Sequence, residues 1–264
     1  MAVAGSVKRR LAPAARKLAP RRFWRRKFRI LQRLGQSRPD IQLVASLCDP
    51  HRISVDVGAD LGEFTIAMLA SSRSVIAVEP RPAQARNLAS MFEAVGAAVQ
   101  VAAVALSDEP GTMTMRVVAA EPGRSTIEAG NALGDVNDGE IESIDVPVRR
   151  LDDLRLADVG LIKIDVEGHE IAVLHGATET LTRHRPAIVV EAEERHHANA
   201  VTEITGLLNG LGYAGYFDLG GVRRPIAEFD PARHQDPANV GSPQDGWAGR
   251  GVYVNNFIFL PENA

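Results

Sequence analysis

Carboxylates and one imidazole crowd a short stretch in the middle of the chain. Asp165, Glu167, His169 and Glu170 fall within six residues, and Glu191 and Glu193 follow further on. Such a group can remove a proton as a general base, the histidine because its ordinary pKa sits near neutrality. It can also ligate Mg²⁺ through oxygen. Asp165 and Glu191 each close an apolar run, where a charge has few structural uses, and together with His169 they are the candidate catalytic residues. Competing readings stand beside this one. His169 also suits a solvent-facing place in a first helical turn, and Glu170 suits stabilisation of the helix dipole. A Mg²⁺ site built from Asp165, Glu191 and Glu193 lacks compact ligand spacing. His196 and His197 are adjacent, so they face different ways, and both read as exposed.

A second chemical signature lies earlier, in Val55-Asp56-Val57-Gly58-Ala59-Asp60-Leu61-Gly62-Glu63-Phe64-Thr65. It reads as a buried strand, a glycine turn and a helix start. Gly58 and Gly62 let the backbone turn sharply and approach a ligand without interference from a Cβ. Glu79 closes the next strand, where an acid can accept both hydroxyl hydrogens of a ribose. A dinucleotide site needs G-x-G-x-x-G so that a pyrophosphate rests on helical N–H groups. Here Asp60 takes the middle position. Its carboxylate repels a pyrophosphate and suits a ligand carrying ammonium and sulfonium charges.

The elements that must position these residues alternate regularly after Pro50. Strands are expected at Ile53–Val57, Ser74–Glu79, Val99–Leu106, Leu161–Asp165 and Ala187–Glu191, with helices after Gly62, over Pro82–Val95 and over Ile171–Thr182. Short apolar strands alternating with helices indicate a parallel sheet covered on both faces, with ligands at the strand C-termini. A helix over Ala200–Leu211 and strands at Tyr213–Leu219 and Tyr253–Leu260 complete the order. Thr112–Val118 and Ile144–Arg149 read as an inserted strand pair flanking a Gly-rich polar loop at 121–142. The 230–250 loop, rich in Pro, Gly and Asp, has the length of a functional lid or a disordered segment.

The ordered blocks resemble the FkbM-type methyltransferases. They are Val55–Thr65, Val78-Glu79-Pro80, Ala105-Leu106-Ser107-Asp108, Leu151-Asp152-Asp153-Leu154 and Ile162 through Glu170; Asn256–Pro261 resembles that family's last strand. The resemblance implies an α/β fold with a doubly wound, mostly parallel seven-stranded sheet of class I methyltransferase type. It implies S-adenosylmethionine as cofactor and O-methylation of a sugar or natural-product hydroxyl. Asp56, Gly58 and Gly62 would line the methionine end, Glu79 the ribose, and Ser107 and Asp108 the adenine, with Asp60 in the same turn as a further cofactor-binding residue. The family usually has Asn at Asp60 and a small residue at His169. Gly123-Arg124-Ser125-Thr126 resembles a Ser-containing family segment at cofactor or acceptor; an ordinary turn reads it equally well.

Charge divides the chain unevenly. Residues 1–33 hold twelve Lys or Arg and no acid, whereas the whole chain sums to −3. This sets a basic extension at 1–40 against a methyltransferase domain at 41–264. Residues 1–22 hold two prolines and read as mobile up to Pro20. Trp24, Phe28, Leu31 and Leu34 then recur at helical spacing among arginines. That amphipathic helix either caps the domain or contacts an anionic membrane through residues 21–34. Nucleic acid is disfavoured as a partner by the acidic body and 5% aromatic content. Nucleic-acid methylation, and a non-catalytic cofactor-binding adaptor, remain alternatives to a small-molecule or glycan acceptor. Cys48 is the only cysteine, which fits a reducing, cytoplasmic compartment.

Overall fold

The structure, a computed structural model, describes residues 19–118, 123, 125–128, 131, 133, 141–240 and 251–262. The expected mobile head at 1–18, much of the 121–142 loop and the 241–250 half of the later loop lie outside the described residues.

Apolar β-branched runs form the centre of the sheet. β1 (Ile53–Val57), β2 (Ser74–Val78) and β3 (Val99–Ala102) run parallel to β7 (Val159–Ile164) and β8 (Ala187–Glu191). β11 (Asn256–Pro261) enters antiparallel between β8 and β9 (Tyr213–Leu219), and β10 (Val222–Pro225) closes a hairpin on β9. The order is β10-β9-β11-β8-β7-β1-β2-β3, eight strands rather than seven. The additional edge strand, Val-Arg-Arg-Pro, is exposed throughout and so carries no alternating apolar signal.

Val99–Leu106 is not one strand. After Ala102 the chain leaves the main sheet, and β4 (Ala105–Leu106) pairs instead with β6 (Ile141–Arg149). β5 (Gly111–Val118) pairs antiparallel with β6, so the insert is a three-stranded sheet and not a strand pair. A change of pairing partner leaves apolar periodicity unbroken, and periodicity alone cannot reveal it.

Helices cover both faces, as right-handed crossovers require. α1 (Pro20–Gly35) packs on α3 (Glu63–Leu69) and α4 (Pro82–Val95), and α2 (Pro39–Ser46) lies against α3. Trp24 and Leu31 are buried against Leu88, Met91 and Phe92, with Phe28 edge-on to Phe92. Arg25 donates from Nε to the Ala94 carbonyl at 2.8 Å. Leu34, by contrast, stays 54% exposed.

The expected helix over 171–182 is two helices, α5 (Glu170–His175) and α6 (Thr178–His184). They part at Gly176, where an added Cβ would stand 2.0 Å from the Ser107 carbonyl oxygen. Asp152 then receives the Glu179 and Thr180 N–H groups, satisfying the orphan donors of α6. α7 (Ala200–Gly210) buries Val201, Ile204 and Leu208 on the far face, and a single turn, α8 (Pro231–His234), follows.

Candidate functional site

The C-terminal tips of β1, β2 and β7 meet at an open cleft, the edge where parallel α/β sheets bind ligands. Val57, Val78, Val104, Leu106, Met115 and Ile127 give it apolar walls, the last two from the insert and its loop. Four carboxylates line it, from Asp60, Glu79, Asp165 and Glu167, against the one guanidinium of Arg81 among the described lining residues.

Gly58 explains why the tips converge. Its φ is +84°, and a Cβ there would stand 1.8 Å from the Asp165 carbonyl oxygen. The β1 turn and the β7 tip are therefore in backbone contact, tied by the Asp165 N–H donating to Val57 O at 3.0 Å. Gly62, also at positive φ, packs against Leu88, Met91 and Phe92 and fixes the start of α3 without facing the cleft. Asp56 lies beneath the turn, fully buried, with Thr65 donating to Oδ2 at 2.5 Å and no partner for Oδ1. Burial pushes its pKa up.

Glu79 forms the floor at the other end. Oε1 accepts the Arg81 N–H at 2.9 Å and Arg81 Nε at 2.8 Å, while Oε2 accepts the Asp60 N–H at 3.0 Å and Arg81 Nη2 at 2.9 Å. A carboxylate offers about four lone-pair directions, so all are in use. Arg81 also reaches Asp60 Oδ1 at 2.6 Å, which ties the two acids across the glycine turn. Asp60 itself sits at φ +39°, a left-handed conformation that Asp tolerates better than most residues.

At the β7 tip, Asp165 accepts from the fully buried Lys163 Nζ at 2.6 Å. Burial pulls the Lys163 ammonium down, but Asp165, Glu191 and Asp56 around it hold its pKa above the ordinary value. Glu191 lies behind this pair, accepting from Asn255 Nδ2 at 2.6 Å, and burial with nearby Asp165 raises its pKa well above normal. Glu193 is taken by Arg195, at 2.6 and 2.9 Å, and by the Tyr253 hydroxyl. The three acids considered for Mg²⁺ thus point at separate partners. No cluster of three metal-ligating side chains occurs among the described residues.

His169 does not face solvent. It is 8% exposed, with Nδ1 3.1 Å from Glu128 Oε2 and Nε2 2.9 Å from Ser107 Oγ, whose hydroxyl donates to Asp108 Oδ1 at 2.9 Å. Ser107 and Asp108 follow the cleft wall at Leu106, and none of these three residues lines the cleft. Glu170 is buried and accepts the Gly168 N–H at 3.0 Å; burial pushes its pKa up to about 7. Its role is to staple the turn before α5. Arg124 lies outside the described residues, whereas Gly123 and Ser125 line the cleft.

Two residues stand out beyond the candidate catalytic set of Asp165, His169 and Glu191, one from the acidic cluster itself and one expected to be exposed. Glu167 lines the cleft at φ +56°, and His196, far from exposed at 13% for its side chain, places Nδ1 3.4 Å from Glu167 Oε2. The acidic run at Asp165–Glu170 drew attention to this place, but only the left-handed turn decides which carboxylate enters the cleft. The pairing with His196 joins two distant loops and leaves no local signal.

Comparison with known proteins places residues 56–214 on the model of the methyltransferase FkbM domain. The chain is 28% identical over 221 residues to the methyltransferase sdnD of Sordaria araneosa, covering 69% of this chain and 81% of that protein. It is 30% identical over 141 residues to methyltransferase 1 of Beauveria bassiana, covering 46% of this chain and 57% of that one. The crystal structure of methyltransferase FkbM from Methylobacillus flagellatus superposes with a TM-score of 0.49 at 16% identity. That superposition spans 80% of this chain but only 44% of the other molecule.

Proposed function

The chain belongs to the FkbM methyltransferase family, and from that premise we propose that it carries a methyl group from S-adenosylmethionine to a hydroxyl of a sugar or other small molecule. The acidity of the cleft supports this most directly: its four carboxylates outnumber Arg81 and the Lys163 ammonium that pairs with Asp165, which suits a cationic ligand and opposes a pyrophosphate. The donor set fits the cofactor part by part. Asp165 would meet the amino-acid end, Glu79 the ribose hydroxyls, and Val78, Leu106, Met115 and Ile127 an apolar ring. A ribose reaches Glu79 only by replacing a donor that Arg81 now supplies. When bound, the cofactor supplies an electrophilic methyl on a sulfonium. The chain's own residues must then hold the acceptor oxygen in line and take its proton.

Asp165 positions rather than deprotonates in this reading, because its charge is already committed to Lys163. His169 joins the insert to the β4 tip through Glu128 and Ser107, outside the cleft. The test is release of S-adenosylhomocysteine from labelled S-adenosylmethionine in the presence of pooled glycan and small-molecule extracts. Transfer into nucleic acid alone would replace the hydroxyl-acceptor reading, and binding without transfer would favour an adaptor.

The outer face of α1 supports a separate membrane contact. Arg22, Arg26, Arg29 and Arg33 share one exposed side of an acid-free helix, flanked by Ile30 at 46% and Leu34 at 54% exposure. Trp24 and Phe28 are already engaged by the domain. No helix among the described residues is long and apolar enough to cross a membrane, so the contact would be peripheral.

A further inference from the structure

We propose that Glu167, backed by His196, is the group that takes the proton from the acceptor hydroxyl. The inference rests on the methyl-transfer reading of the cleft and adds the catalytic residue to it.

The geometry singles out Glu167 among the acids. Asp165 is neutralised by Lys163, Glu79 and Asp60 by Arg81, and Glu193 by Arg195. Glu191 sits behind Lys163 and does not line the cleft. Glu167 does line it, and the group nearest its carboxylate in an ion-pair geometry is His196 at 3.4 Å.

The fold also secures this residue against its own backbone preference. A non-glycine residue in the left-handed region is strained, and such strain persists only where the surroundings over-determine it. Here Thr126 Oγ1 and Asn131 Nδ2 both donate to the Glu167 carbonyl at 2.8 Å. On the other side Glu170 Oε1 accepts the Val166 and Gly168 N–H groups at 3.3 and 3.0 Å. Four hydrogen bonds therefore hold the turn that aims one side chain into the cleft. The two from the insert also make the same loop that roofs the cleft responsible for setting its base.

The environment tunes the group towards its task. Burial first, then Asp165 and Glu193, push Glu167 up to about 8, with Glu170 and Glu191 adding to the negative surroundings and Arg195 opposing them. A base is most effective when its pKa lies near the working pH. Glu167 accepts the hydroxyl proton as the oxygen's electron pair forms the bond to the methyl carbon. The carbon–sulfur pair stays on sulfur, which leaves as a neutral thioether. His196 sits where it can receive that proton and pass it outward.

Sinefungin tests this without knowledge of the acceptor, because it carries an ammonium group where the cofactor has its methyl sulfonium. Titration calorimetry of the full chain with sinefungin and with S-adenosylhomocysteine gives a preference ratio at each pH. Wild-type protein is expected to prefer sinefungin by about 10- to 100-fold, the span of a hydrogen bond between charged groups. The preference should grow as pH rises through the Glu167 titration. Glu167→Gln should abolish it and leave S-adenosylhomocysteine binding within about twofold, since only the ammonium contact is removed. His196→Ala keeps the preference but moves its pH midpoint, and it carries the test if Glu167→Gln does not fold. An unchanged preference in Glu167→Gln, or an unmoved midpoint in His196→Ala, would overturn the assignment. Wild-type protein that binds neither ligand would overturn the cofactor reading itself, and this inference with it.

Discussion

Replacing Gly58 by alanine should damage the protein far more than the same change at Gly96. Both glycines sit at positive φ, +84° and +70°, so both substitutions incur the left-handed penalty of about 1–2 kcal/mol. At Gly96 a new Cβ meets nothing within 4 Å, and the penalty is the whole effect. At Gly58 it would lie 1.8 Å from the Asp165 carbonyl oxygen, well under the 3.0 Å floor for a real contact. The obstacle is main chain, so relief requires the β1 and β7 tips to part by more than an ångström. That parting strains the Asp165 N–H to Val57 O and Gly58 N–H to Val78 O bonds, each 3.0 Å. Adding about 1 kcal/mol for each weakened bond gives ~3–4 kcal/mol for Gly58→Ala against ~1–2 for Gly96→Ala. Urea unfolding followed by circular dichroism measures both, and any folded Gly58→Ala should also bind S-adenosylhomocysteine poorly. Equal midpoints for the two variants would refute the claim that the strand tips touch at this turn.

Other perturbations separate the roles assigned to individual residues. Glu79→Ala should weaken S-adenosylhomocysteine binding by about 1.5–3 kcal/mol in calorimetry, the scale of a hydrogen bond to a charged group; wild-type affinity would move the ribose site elsewhere. Asp165→Asn should cut turnover by ~100-fold through misplaced ligand and also lower stability, because Lys163 is left buried without its partner. Asp165→Asn combined with Lys163→Met should recover the stability and not the turnover, and recovery of both would remove Asp165 from the site. Glu170 has a folded pKa raised to about 7, above its unfolded value, so its protonated form favours folding and that contribution is lost as pH rises towards 7. Glu170→Gln should therefore gain on wild type by up to ~3 kcal/mol between pH ~5 and ~8 in denaturant titrations; a difference independent of pH would contradict the burial of this acid. Trp24→Ala should lower stability by about 3 kcal/mol, while charge reversal of Arg22, Arg26, Arg29 and Arg33 should leave the melting temperature alone and abolish low-salt binding to anionic liposomes.

Much of the parallel core was readable because its signals are local. Ile53–Val57, Ala187–Glu191 and Pro82–Val95 have the observed bounds, since an apolar run or a helix ending at a glycine is written in consecutive residues. The break at Val99–Leu106 was not readable, because pairing with β6 is decided by residues forty positions away. The helix break at Gly176 depends likewise on the approach of Ser107. In the site, Gly58, Asp60, Glu79 and Asp165 line the cleft as their strand-end positions suggested. Asp56 and Gly62 belong to the same turn but serve it from below and behind. His169 and Glu167 exchanged prominence, since two residues apart in sequence they lie on opposite sides of a left-handed turn.

The most direct test of the central claim is calorimetric titration of the full chain with S-adenosylhomocysteine and with NAD under identical conditions. A cleft whose lining sets four carboxylates against one guanidinium should bind S-adenosylhomocysteine and leave NAD unbound at comparable concentration. Equal affinity for the two, or binding of NAD alone, would contradict the account.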